Sequence, residues 1–309
     1  MRDAPSTQDE IFDAVIVGGG PAGLSAALWL ARYRRRVRLY DAGEPRNRMT
    51  TAVHGYPGLD DPAPEELRRR IRAQAVEAGA EFCPDRVVAL RGSKGDFRVE
   101  SEHGAPVRAR RILLAYGCRD CVPDIPGLAP AYGITVHHCP DCDGPAVTGE
   151  PVGVIGWTRT AAELALFLQT WTERVVLLLH GHETELDDAG RDTLRRRGVA
   201  VRAAAVARVD QRDGRVRGVE LANGERLELT RLFFRVATPP ASDLGRRLGC
   251  RSAEGGRIAV DDGQETTAPG VYAAGDITGH PHLAISAAAD GVRAALALHR
   301  SLLPSDQDL

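Results

Sequence analysis

A short apolar run, Phe12–Val17, feeds directly into Gly18-Gly19-Gly20-Pro21-Ala22-Gly23, and an alanine-rich apolar segment continues from Leu24 to about Tyr33. This order predicts a strand, a tight turn and a helix. Gly18, Gly20 and Gly23 fit G-x-G-x-x-G, and an acid, Asp41, follows the next apolar run, Val37–Tyr40, 18 positions past the last glycine. One glycine makes the turn, the next admits a pyrophosphate to the backbone, and the third lets the helix pack on the strand. The helix N-terminus with Pro21 and Ala22 then faces the phosphates, and Asp41 accepts from a ribose hydroxyl. The context of strand, helix and distant acid makes this a dinucleotide turn rather than an ordinary glycine turn.

The rest of the chain continues in the same style. Pro64 opens and Gly79 closes a helix over Glu65–Glu77, alternating segments follow at 86–91 and 97–101, and an apolar strand at 111–115 leads into Ala115-Tyr116-Gly117. These three strands are expected to form an excursion packed on a parallel sheet. Near residue 151 the opening repeats at lower fidelity: strand 151–155, Gly156, a helix over 161–170 and a strand over 174–179. Strands at 199–205, 217–221 and 231–236 complete a second small α/β unit. Gly270–Asp276 then reads as a buried strand ending in an acid, and 283–301 as a long alanine-rich helix. Two doubly wound, Rossmann-like α/β domains are expected, the first interrupted by the second: 1–117 with 245–309, around 118–244.

With 309 residues, 27% charged and a net charge of −2, the chain has room for two globular domains and no electrostatic reason to bind nucleic acid or an anionic membrane. The arginine clusters at 34–36, 68–70 and 195–197 fall in helices or at helix ends and read as solvated faces. Met1–Glu10 has no apolar core, and no run approaches the ~18 apolar residues of a membrane span, so a cytoplasmic location is expected. In a reducing compartment two C-x-x-C spacings point to redox or metal chemistry rather than to structural disulfides.

The segment Thr267-Ala268-Pro269-Gly270-Val271-Tyr272-Ala273-Ala274-Gly275-Asp276 resembles the "Ala-Gly-Asp" element of the two-domain flavoprotein disulfide reductases. The resemblance implies FAD in the first domain, with Asp276 on the ribityl chain beside Gly275. Ala115-Tyr116-Gly117 sits where that family carries "Ala-Thr-Gly", Tyr116 being a departure. Further likeness lies in Asp41–Asn47, in His54-Gly55-Tyr56-Pro57-Gly58 and in Arg119–Gly127. It sets Arg46, Asn47, His54, Val87, Ala115, Gly117, Ala284 and Ile285 among the FAD-binding residues with Gly18, Gly20, Pro21, Ala22, Gly23, Asp41, Gly275 and Asp276. His280 and His282 are candidates near the isoalloxazine ring, although a loop histidine is more commonly solvated. His282-Leu283 replaces the family's "Arg-Gln", and the helix N-terminus that follows supports negative charge at the pyrimidine edge.

Cys139-Pro140-Asp141-Cys142-Asp143-Gly144 precedes the second domain's first strand. Such a pair cycles between dithiol and disulfide when one thiol is a thiolate; protonated His137 or His138 favours that state, and Asp143 is placed to shuttle the proton. The placement resembles the low-molecular-weight thioredoxin reductases, which carry "Cys-x-x-Cys-Asp-Gly" in the second domain, and the accompanying segments look most like a bacterial subgroup that includes the dithiol oxidases of disulfide natural products. By that resemblance Cys142 exchanges electrons with the flavin, Cys139 attacks the substrate, Asp143 is the acid-base, and the chain is a homodimer. Cys118-x-x-Cys121 ahead of Cys139-x-x-Cys142 also fits four-thiolate zinc spacing, or an auxiliary redox relay, but no metal is the preferred reading, with Cys118 and Cys121 as plain substitutions. Cys83 and Cys250 read as small packing residues.

The second glycine turn departs from its pattern. Gly156-Trp157-Thr158-Arg159-Thr160-Ala161 carries Thr158 where backbone should meet pyrophosphate, and His180-Gly181-His182-Glu183 stands where arginines should clasp a 2′-phosphate. NADPH is therefore expected to bind poorly. The function expected is FAD-dependent thiol–disulfide exchange on a thioredoxin-like protein or a small dithiol or disulfide, with O2 or a ferredoxin as the other redox partner. Asp143 favours a reductase; the altered turn favours an O2-dependent dithiol oxidase. A zinc-bearing scaffold or redox sensor is the non-enzymatic alternative.

Overall fold

The computed structural model describes residues 11–304, so the segment Met1–Glu10, read above for a leader, lies outside the described residues. The chain divides into two compact units, 1–48 with 56–119 and 238–309, and 49–55 with 120–237. Against the expected limits at 117/118 and 244/245, the division falls at 119/120 and 237/238, and the segment 49–55 goes with the second unit.

The first unit begins β1 (Ile11–Val17), α1 (Pro21–Arg32), β2 (Val37–Tyr40), α2 (Pro64–Glu77), β3 (Glu81–Cys83), β4 (Val87–Ser93), β5 (Asp96–Ser101) and β6 (Val107–Leu114). The second follows with β7 (Val136–His137), α3 (Pro140–Asp143), β8 (Val152–Ile155), α4 (Arg159–Phe167), β9 (Val175–Leu178), α5 (Asp188–Arg196), β10 (Ala200–Arg202), β11 (Val206–Arg212), β12 (Arg215–Leu221), β13 (Arg226–Leu227) and β14 (Arg231–Phe234). The chain then returns to the first unit with α6 (Leu244–Arg247), β15 (Val271–Ala273) and α7 (Ala284–Arg300).

In the first unit the order is β3-β2-β1-β6-β5-β4, with β15 also on β6. The strands β3, β2, β1, β6 and β15 are parallel, while β6, β5 and β4 are antiparallel. The three-stranded excursion is thus an extension of the sheet and not a layer packed on it. β6 is long enough to serve both: Val107–Ala109 pair with β5 and Ile112–Leu114 with β15. Burial on both faces explains its apolar end, Ile112-Leu113-Leu114, fully excluded from solvent. α7 crosses α1 at Gly291, where a β-carbon would lie 2.0 Å from the carbonyl oxygen of Ala22.

The second unit holds a five-stranded parallel sheet, β10-β9-β8-β14-β7, and a three-stranded antiparallel sheet, β11-β12-β13. The strand expected over 199–205 is only β10, ending at Arg202 before Ala203–Ala205, where alanine contributes little β propensity, and β11 over 206–212, in the other sheet, was not expected. The helix expected over 161–170 begins earlier because the Thr158 side chain caps it, and its last turn, 168–170, tightens to 3-10.

Candidate active site

In the first unit four strand ends converge, as ligand sites do at the carboxyl ends of parallel sheets. β1 delivers Gly18–Gly23, β2 delivers Asp41, β6 delivers Ala115–Gly117 and β15 delivers Gly275–Asp276. Gly18 has φ +113 and a β-carbon there would lie 2.3 Å from Ala115 O; at Gly23 it would lie 1.9 Å from Gly18 O. At Gly20 nothing lies within 4 Å of that position, so the backbone is open where a pyrophosphate needs to approach. Asp41 stands beside Gly19, and Pro21 and Ala22 open α1. This cradle fits a dinucleotide cofactor.

Arg68 is the residue that the sequence reading misplaced. The sequence reads it as part of a solvated face, yet it is 9% exposed, pairs with the Asp41 carboxylate, and donates through Nε to Gly19 O at 3.1 Å. Its place on the inward stripe of α2 with Pro64, Leu67 and Ala75 was the available signal. Arg46 Nη1 donates to Asp276 Oδ2 at 2.9 Å and lies 2.6 Å from His282 Nδ1, and the other ring nitrogen of His282 meets Arg257. His280 faces Asp290, a carboxylate 1% exposed on α7. Asn47 is in the short turn 46–49, Val87 packs in the core near Tyr40 and Val17, Ala284 and Ile285 open α7, and Gly117 has φ +67. His54 lies in the segment 49–55 of the second unit.

Tyr116, the departure from the family's threonine, is buried. Its oxygen accepts from Gly245 N at 3.3 Å, and burial pushes its phenol up to about 12. With Arg119, Ser242 and Cys250 it borders a cavity of about 340 Å³. The Cys118 thiol donates to Asp276 O at 3.0 Å, and Cys250 to Thr266 Oγ1 at 3.3 Å.

In the second unit Cys139 and Cys142 form a disulfide, at the two ends of one turn. Cys139 caps α3, its sulfur accepting from Cys142 N at 3.1 Å. Asp143 Oδ1 lies 3.1 Å from His137 Nδ1, close enough for an ion pair but off the line of a hydrogen bond. Four thiols are not gathered anywhere among the described residues. The one group of three metal-ligating side chains there is Asp85, before β4, with Glu102 and His103, after β5, where the Asp85 carboxylate accepts from His103 N and Gly104 N.

The second glycine turn keeps Gly156, where a β-carbon would lie 2.6 Å from Ala161 Cβ. Thr158 fills the next position, and its hydroxyl occupies the helix by accepting from Ala161 N at 3.3 Å. Trp157 stacks on His182 with ring centroids 3.7 Å apart. Burial, with His182 nearby, holds His180 below the ordinary histidine range, and its Nδ1 accepts from Val206 N at 3.0 Å. It is therefore neutral at pH 7 and committed to the backbone, which leaves it no charge for a phosphate.

A family model described as pyridine nucleotide-disulphide oxidoreductase matches residues 12–291. The thioredoxin reductase tcpT of Claviceps purpurea is 32% identical, over 86% of this chain and 86% of its own length. The solved structure of HlmI is 38% identical over 96% of this chain and 94% of its own, with a TM-score of 0.90. An oxidoreductase from Agrobacterium tumefaciens is 35% identical over 95% and 99%, with a TM-score of 0.87. The members of this family are FAD-binding flavoproteins, in agreement with the cradle around Gly20. On the glycine turn, the disulfide and these similarities together, the chain belongs to the pyridine nucleotide-disulphide oxidoreductase family and is a thioredoxin reductase-like enzyme.

Proposed function

We propose that the enzyme exchanges thiols and disulfides at Cys139 and Cys142, is served by FAD, and does not use NADPH as an efficient donor. The filled position at Thr158 carries the second half of this reading: a side chain stands where a dinucleotide's pyrophosphate needs bare backbone, behind a Trp157–His182 stack. Gly18, Gly20, Gly23, Asp41, Arg46, Asp276 and the start of α7 are the residues that would hold FAD. When bound, FAD supplies a two-electron sink or source for the dithiol. The chain's own part is sulfur chemistry. The Cys139 thiolate attacks one sulfur of a substrate disulfide, Cys142 then displaces the substrate from Cys139, and Asp143 with His137 holds a proton beside the pair. A thioredoxin-like protein or a small disulfide suits this exchange.

Without a nicotinamide the electrons need another partner. A ferredoxin supports a reductase, and Asp143 favours that direction. The same filled turn equally favours a second reading, in which O2 is the acceptor: two thiols of a small molecule or protein become a disulfide and O2 becomes hydrogen peroxide.

Anaerobic mixing separates these points. Dithiothreitol is expected to bleach the flavin near 450 nm, whereas NADPH leaves it oxidised over the same period. Rapid bleaching by NADPH would show that Thr158 is no obstacle.

A further inference from the structure

The exchange chemistry leaves unused the cavity beside Tyr116, and every residue that borders it belongs to the first unit. It forms where the segment that follows β6 meets the segment that precedes α6. Ala241 N donates to Gly117 O at 2.9 Å and Arg119 N to Pro239 O at 3.0 Å, which clamps the two segments side by side. Its volume of about 340 Å³ is at the small end of the ~300–1,000 Å³ range of ligand pockets, room for one small molecule and not for a dinucleotide.

The walls divide by chemistry. Cys250 and Ile258 are buried, and with Pro240 and the Tyr116 ring they make an apolar side. The Cys250 thiol donates to Thr266 Oγ1, and burial holds it above the ordinary thiol range, so it meets a ligand as a neutral, weakly polar group.

The polar groups are donors in excess. The Tyr116 oxygen accepts from Gly245 N, burial keeps the phenol protonated at neutral pH, and its hydrogen reaches no acceptor among the described residues. Tyr116 is the chain's departure from the family's threonine, and it carries this donor out to α6. The Ser242 oxygen likewise accepts from Leu244 N at 3.3 Å and has a hydrogen to give. Arg119, exposed on the rim, pairs through its guanidinium with no described residue. The one acid of the lining, Asp243, is already engaged: Oδ2 with Arg246 Nη2 and Oδ1 with Arg247 Nε, each at 2.9 Å. These groups call for an acceptor that carries one negative charge. A guanidinium fork matches a carboxylate in two parallel bonds, whereas a dianion such as phosphate meets Asp243 on the same rim at an added cost.

We propose that this cavity binds a small organic monocarboxylate: the Arg119 guanidinium and the Tyr116 hydroxyl hold the carboxylate, and Cys250, Ile258 and Pro240 take an apolar body. The site is separate from the glycine cradle, whose residues do not line it, and it does not depend on the chemistry at Cys139 and Cys142.

The test uses the full-length, FAD-loaded enzyme with benzoate and phenylacetate as probes, and benzamide, phenylacetamide and inorganic phosphate as comparisons. Titration calorimetry is expected to show a single site per chain for both carboxylates, with the flavin absorbance retained. The amides are expected to bind ~10-fold or more weakly, since they lose the charge-assisted pair. Arg119→Gln is expected to weaken the carboxylates ~10-fold while leaving the amides as they were, and Tyr116→Phe to weaken them ~3- to 10-fold. Arg119 is exposed, so its replacement keeps the parent melting temperature; Tyr116→Phe keeps the ring, and its melting temperature checks that the loss of the α6 contact is tolerated. No binding of either carboxylate, an affinity that Arg119→Gln leaves unmoved, phosphate or amides bound as tightly as the carboxylates, or a probe that displaces flavin would each overturn the site. Each would leave thiol–disulfide exchange standing.

Discussion

Replacing Cys142 with serine is expected to leave a yellow, folded protein that no longer turns over thiols. The residues that would hold FAD are in the first unit, and Cys142 is in the second, so the substitution removes a nucleophile without touching the glycine cradle. A hydroxyl neither forms the disulfide with Cys139 nor gives up electrons, so no side route within the chain replaces it, and the loss in kcat is on the order of 10³-fold or more. Bound flavin is read from the visible absorbance, and turnover from thiol loss by a chromogenic titration. Turnover at the parent rate in that variant would sink the proposed chemistry.

The second large effect is structural and comes as a contrast between two glycines of one turn. Gly18→Ala places a methyl group 2.3 Å from Ala115 O at φ +113, against the backbone of Ala115 and Tyr116. Neither strand can yield without breaking the β1–β6 ladder, so the cost is about 3 kcal/mol or more, a fall of roughly 5–10 °C in melting temperature for a unit of this size. Gly20→Ala meets no protein atom within 4 Å and keeps an extended, allowed backbone at φ −78. The apoprotein is expected to melt as the parent does, while FAD affinity falls ~10-fold or more because the methyl occupies the space the pyrophosphate needs. Calorimetry on apoprotein and flavin fluorescence on reconstitution check the pair. Undiminished FAD binding by the Gly20→Ala protein would place the cofactor elsewhere.

What could be read from sequence was what is encoded over short spacings. Gly18–Gly23, Cys139-x-x-Cys142 and the acid of Gly275-Asp276 announce themselves because a turn, a reversible disulfide and a strand end each demand particular residues a few positions apart. The α/β alternation was legible for the same reason, since β1, α1, β2, α2 and α7 carry strong apolar periodicity. Partners separated by long stretches of chain were not legible. Arg68 reads as one of three charges on a helix until α2 is seated against Asp41 and Gly19. Tyr132 and Asp120 lie in a loop-rich stretch with no periodicity, and only the return of the chain into β7 brings His138 to them. Thr158 is an intermediate case: the missing glycine was visible, but the stack of Trp157 on His182 depends on how β9's loop folds back. The division at 119/120 and 237/238 was missed by a few residues because antiparallel pairing of Cys118 with Pro240 holds both connections in the first unit.

Arg46 and Asp276 are 230 residues apart in sequence and 2.9 Å apart in space, and β15 takes its place beside β6 only once nearly all of the chain exists. On a ribosome, the second unit is therefore complete while the first is still an open sheet with an unfilled edge. During that interval the exposed side of β6 is the hazard, a nascent strand edge able to pair with the wrong chain until its own C-terminal partner arrives.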